Sequence, residues 1–147
     1  MKIKSSLSTI ALLCVLVFTG CKDENVEEAV ILQSTEYQIY DVSGSGVTGT
    51  ATFTQEDNGS THVLIELDGA DTSTNPAYIR YNSAAEGGGI AITLAACECA
   101  ISNTTITALN NGTSITYEGL IAFYGHITIE DLSGNIVAVA DIGANAE

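Results

Sequence analysis

From about Val30 onward the chain consists of short runs rich in Val, Ile, Thr, Tyr and Phe, each closed by Gly, Asn, Asp or Ser. Alternation with a period of two dominates and a helical period is nearly absent, so the pattern predicts antiparallel β-structure. The predicted strands are 30–40, 47–56, 61–68, 77–82, 90–96, 103–109, 124–130 and 135–142. Their number and spacing predict an all-β fold, an antiparallel Greek-key-type β-sandwich of about 7–8 strands. Asp57-Asn58-Gly59 supplies residues that accept positive φ, which predicts a tight hairpin joining Ala51 and Phe53 to Val63, Ile65 and Leu67. Over 61–68, Val63, Ile65 and Leu67 share one face while His62, Leu64 and Glu66 share the other, so His62 is expected to be half exposed. The last strand sets Ile136, Ala138, Ala140 and Ile142 against Val137, Val139 and Asp141. Because its middle is apolar on both faces, it is expected inside a sheet. One short helix is expected at Thr116–Ala122, with Thr116 as its cap and Gly119 as its weak point.

The N-terminal pattern is different. Met1-Lys2-Ile3-Lys4 is positive, and the apolar run Ile10–Phe18 has the length of a signal peptide core, too short to span a bilayer. Thr19-Gly20-Cys21 is similar to a bacterial lipobox, with Phe18 where Leu is usual. In such sequences the cysteine sulfur takes a diacylglycerol before cleavage, here after Gly20. The expected organisation is a lipoprotein signal peptide at 1–20, an acidic tether at 21–29 and a β-sandwich domain at 30–147, with Cys21 as the lipidation site. An ordinary secreted protein is the alternative. Several acyl chains on one cysteine suffice for stable anchoring, so a membrane is the first expected partner. Lys22-Asp23-Glu24 with Glu27-Glu28 resembles the surface-export signal of lipoproteins in the Bacteroidetes group, which implies the outer membrane and an outward-facing domain.

Charge narrows the partners further. The 147 residues carry 18 acids against 4 bases, and without residues 1–20 two cations face 18 acids, a formal charge of −16. Such a surface cannot bind phosphate backbones, so nucleic acid is excluded. At 46% hydrophobic and 15% charged residues, the chain can fill the core of a single domain.

Asn75-Pro76-Ala77-Tyr78-Ile79-Arg80-Tyr81-Asn82, Glu86-Gly87-Gly88-Gly89 and Ile90-Ala91-Ile92-Thr93-Leu94 resemble the CHRD domain family. The resemblance continues through Ile115–Ile121, Phe123–Glu130, Asn135–Ala138 and Asp141-Ile142-Gly143, covering approximately 46–144. CHRD domains look distantly like the β-sandwich of copper/zinc superoxide dismutases, which implies the same fold class. In the family the Pro-Ala segment usually carries a His-x-His pair and the later strand another histidine. Here those positions read Tyr78, Arg80 and Glu130. Tyr is a poor ligand at neutral pH, and a guanidinium has no lone pair and repels a cation. The resemblance therefore implies a degenerate site at Tyr78, Arg80, Glu130 and His126, with no metal, no cofactor and no catalytic residue. Arg80 is expected to form an ion pair with Glu130 in place of a metal.

Cys97-Glu98-Cys99 is the other chemical feature. Two thiols one residue apart share a face on a strand and offer a soft-metal or redox centre, although a lone Cys-x-Cys pair is a weak zinc signal. Free thiols in a loop are the plainer reading. His62 and His126 are expected as separate surface or pocket-edge histidines. Glu56/Asp57 and Asp68/Asp71 fit no EF-hand spacing and read as solvated turn acids. Gly87-Gly88-Gly89 reads as a turn before a strand. The sequons at Asn58, Asn103 and Asn111 receive no role.

The function expected from these observations is a lipid-anchored envelope or surface protein with a non-catalytic domain that binds an extracellular protein or glycan, or serves a structural role. The competing expectation is a metal-binding or redox protein, through a degenerate dismutase-like site or a Cys97/Cys99 thiol centre.

Overall fold

Eight strands and one helical turn follow from the alternation. The computed structural model describes residues 32–42, 44–70 and 74–146; the expected signal peptide, the tether and Cys21 lie outside them. The elements are β1 (Ser34–Asp41), β2 (Thr48–Gln55), β3 (Thr61–Asp68), β4 (Ala77–Tyr81), β5 (Ile90–Thr93), β6 (Ile101–Ile106), α1 (Tyr117–Ile121), β7 (Tyr124–Glu130) and β8 (Ile136–Gly143). All pairings are antiparallel, and the strands form one curled sheet in the order β5-β4-β7-β8-β1-β2-β3-β6. The chain has the expected all-β sandwich architecture.

β1 joins the two halves. Its residues Ser34–Ile39 pair with β2, whereas Tyr40 and Asp41 pair with Val139 and Ala138 of β8. One half is thus β1-β2-β3-β6, and the other is β5-β4-β7-β8 with the end of β1. Inward positions recur at every second residue and fill the space between: Ile39, Phe53, Val63, Ile65, Ile79, Ile127, Ile129 and Ile142 are all buried. Tyr37 meets Phe53 edge-on, with ring centroids 5.2 Å apart.

The predicted hairpin forms as read, with Phe53 opposite Val63 and Ala51 opposite Ile65. Gly59 takes a positive φ of 83°, and Asn58 Oδ1 accepts from the Ser60 N–H at 2.9 Å. The same Asx geometry recurs at Asn111/Thr113, so turn chemistry accounts for both of these sequons. His62 is half-buried as expected, and β8 lies between β7 and β1. Thr116 caps α1, its Oγ1 accepting from Gly119 N, and Tyr117 and Leu120 close one end of the core.

Several boundaries differ from the pattern: β1 begins at Ser34 rather than 30, β6 ends at Ile106 rather than 109, and two further shifts flank one turn. β5 ends at Thr93 rather than 96, and β6 begins at Ile101 rather than 103. The cause is local. Cys99 and Ala100 adopt left-handed φ of 50° and 71°, and Glu98 and Ile101 exchange backbone hydrogen bonds across them. This two-residue turn of the mirror-image kind returns the chain at once, so β6 starts two residues early.

Candidate functional site

The four residues of the expected degenerate site all stand on the outer face of β4 and β7, because each strand's even-numbered positions point away from the core. Tyr78 lies opposite Thr128 and Arg80 opposite His126. The Arg80 side chain runs along β7 and its guanidinium is held on several sides. Nη2 donates to Glu130 Oε1 at 2.7 Å, Nε to Thr128 Oγ1 at 3.1 Å and Nη1 to the Gly88 carbonyl at 3.2 Å. The Arg80 Cζ also sits 5.5 Å from the centre of the Tyr78 ring. With exposures of 22% and 12%, the pair is neither a loose surface contact nor a sealed core one.

This donor set does not fit a metal ion. The lone pairs that a divalent cation needs are replaced by N–H donors, and the one carboxylate within reach already neutralises the guanidinium. Among the described residues no group of three His, Cys, Asp or Glu side chains converges.

His126 is 2% exposed, deeper than the pocket-edge position the sequence suggests. It is covered by the 82–89 loop, and its Nδ1 lies 2.8 Å from the Asn82 carbonyl. A carbonyl only accepts, so Nδ1 carries the proton in this contact. The loop is fastened to β8 and β7 and braced within itself. Ala84 N donates to Asp141 Oδ1 at 2.7 Å, Asn82 Nδ2 to the Gly87 carbonyl at 3.0 Å, and Tyr124 Oη to Glu86 Oε2 at 2.9 Å. Backbone and hydroxyl donors at Ser83, together with Tyr124, hold the Glu86 carboxyl below its ordinary range, while the same carboxylate pushes the Tyr124 hydroxyl up. Gly88 is required because a Cβ there would collide with the Tyr81 carbonyl oxygen.

The left-handed turn at 99–100 breaks the strand alternation that would set both thiols on one face. Cys97 is buried and Cys99 is exposed, both as free thiols. Burial pushes the Cys97 thiol up to about 11, far from a reactive thiolate at neutral pH. The expected outcome with a thiol-reactive disulfide is rapid modification at Cys99 in the native chain and at Cys97 only on unfolding. Mass mapping of the modified peptides, with C99S as the control, checks it; fast labelling of Cys97 would contradict the burial.

One feature escapes sequence reasoning altogether. A groove of about 630 Å³ lies along the β1–β8 seam, lined by Glu36, Gln38, Tyr40, Val139, Asp141 and Asn145 among others. Tyr40 is 65% exposed, a large aromatic surface left in water on a strand that pairs on both sides. The only signal in the chain is the outward row Glu36, Gln38, Tyr40; that β8 leaves this row open depends on the distant pairing of Tyr40 with Val139. At the opposite pole, Asn75 donates through Nδ2 to the Glu130 carbonyl at 2.9 Å, and its buried Oδ1 has no hydrogen-bond partner.

Compared with models of known protein families and with curated proteins, the chain matches none of them.

Proposed function

We propose that this chain is a lipid-anchored protein of the cell envelope, held by Cys21 and presenting a CHRD-like β-sandwich that recognises an extracellular ligand and catalyses no reaction. The observation that carries this reading is the Arg80–Glu130 ion pair at 2.7 Å. It occupies the positions where the CHRD resemblance leads one to expect imidazoles, and it fills them with groups that cannot share a cation. An open groove with an exposed tyrosine offers a surface for recognition. The excess of acids keeps the domain soluble and directs it toward neutral or cationic ligands.

Two measurements on the full chain test the proposal. Labelled palmitate is expected to enter the wild-type protein in a bacterial host and to be lost in C21A, whereas an unlabelled, freely secreted wild-type product removes the anchoring. Superoxide generated in the presence of the purified chain in detergent is expected to decay at its uncatalysed rate, and accelerated decay contradicts the non-catalytic reading.

A further inference from the structure

β1 and β8 begin as an ordinary antiparallel pair. Tyr40 faces Val139, Asp41 faces Ala138, and Val42 N donates to the Val137 carbonyl at 2.9 Å. Continued in the same register, Gln38 would face Asp141 and Glu36 would face Gly143, but the ladder stops at Tyr40. The strands diverge for two reasons. Below Tyr40, β1 follows β2, with Ile39 opposite Gly49 and Tyr37 opposite Ala51. β8 follows β7 and then bends away at Gly143, whose φ is 59° and whose neighbour Ala144 donates to the Phe123 carbonyl.

Two strand edges therefore face each other across the groove. Among the described residues, β1 over Thr35–Gln38 pairs only with β2, which leaves the backbone of Glu36 and Gln38 facing the groove, while β8 offers the backbone of Asp141 there, since the Gly143 carbonyl accepts from Ala146 N and its N–H meets the Tyr37 hydroxyl. In an antiparallel ladder half the backbone N–H and C=O groups point to the unpaired side, which makes an edge a template for another strand. Glu36, Gln38 and Asp141, which line the groove, stand where the missing pairs would be.

We infer that this split seam takes an extended peptide from a partner protein by strand addition, and that the peptide carries Lys or Arg. The inference rests on the binding reading above and names its ligand class. Charge selects the peptide. The groove presents the carboxylates of Glu36 and Asp141, each with one oxygen accepting a neutral N–H, from Gln38 and Ala84, and neither paired to a cation; the only cation among the described residues, Arg80, is committed to Glu130. Tyr40 adds an exposed ring face on which an ammonium or guanidinium can rest. Backbone pairing supplies register, and alternate side chains of the added strand point outward over Glu36, Gln38 and Tyr40.

The test uses the full chain in detergent and a short fluorescent peptide alternating Lys with Val, read by anisotropy and by mass spectrometry after incubation. Saturable binding that weakens as salt rises is expected, and methylation of alternate backbone nitrogens in the probe is expected to abolish it. Tyr40→Ala and Glu36→Gln are each expected to weaken binding by about three- to tenfold, from the worth of an exposed cation–π contact and a charge pair. Both side chains are exposed, so melting curves of the variants are expected to match the wild type. Equal binding of the methylated peptide, or binding indifferent to both substitutions, overturns the inference. So does saturable binding of a neutral chito-oligosaccharide by a chain that ignores the peptide, which moves the groove to glycan recognition. An intact but unbound peptide overturns this inference alone, whereas a cleaved peptide overturns the non-catalytic reading as well.

Discussion

Phe53→Ala is expected to cost about 3–5 kcal/mol of unfolding free energy, the range for truncating a large aromatic in a well-packed core. Phe53 is fully buried where the two halves of the curled sheet face each other, edge-on to Tyr37. It lies opposite Val63 on one side and Thr35 on the other, so neighbouring strands on both sides hold the space open. A domain of this size has about 5–15 kcal/mol in total, so the variant should be marginal at room temperature. Urea titration followed by tyrosine fluorescence measures the loss. Phe53→Leu, which refills much of the volume, is expected to lose far less. A cost below about 1 kcal/mol for the alanine variant would mean that the halves do not close over this ring.

Arg80→Ala has the second-largest expected effect, a loss of about 2–3 kcal/mol, between the values for exposed and for sealed ion pairs. The substitution strips Glu130 of its counter-charge and leaves the Thr128 hydroxyl and the Gly88 carbonyl without their donor. Glu130→Ala in the same chain is expected to restore part of the loss, because the uncompensated carboxylate goes with it. The double variant should therefore fall short of the sum of the single ones by about 1–2 kcal/mol. Arg80→Lys is expected to recover only a fraction, since an ammonium cannot serve three differently placed acceptors as the fork does. Strict additivity in the cycle would show that the 2.7 Å contact contributes no coupling.

Local pattern and local chemistry made most of the β-structure legible. Period-two alternation located β3 and β8 and the face that each buries, and a single Asp-Asn-Gly run placed the β2–β3 hairpin. Thr116 marked the only helical turn among the described residues, which forms despite Gly119. The boundaries missed at β5 and β6 turn on Cys99 and Ala100, which take left-handed φ that neither residue type advertises. The Arg80–Glu130 contact was readable because the CHRD resemblance sets both residues at one site and Arg80 is the only cation in the folded part.

The remaining site features depend on three-dimensional closure. His126 is buried by a loop that begins 44 residues upstream, at Asn82, and Asp141 fastens that loop through Ala84, 57 residues away. The seam beside Tyr40 opens because β1 changes partners in mid-strand. A strand's own alternation says which face is apolar but not where a distant neighbour departs. The thiol pair shows the same limit in reverse: an i, i+2 spacing implies a shared face only while the backbone remains extended.

The account stands on a domain that recognises without holding a metal, and elemental analysis of the purified full chain tests this most directly. After incubation with copper and zinc salts and passage through a desalting column, inductively coupled plasma mass spectrometry is expected to find only traces of either metal. Retention of one equivalent per chain, lost on substitution of Tyr78, His126 or Glu130, would contradict it.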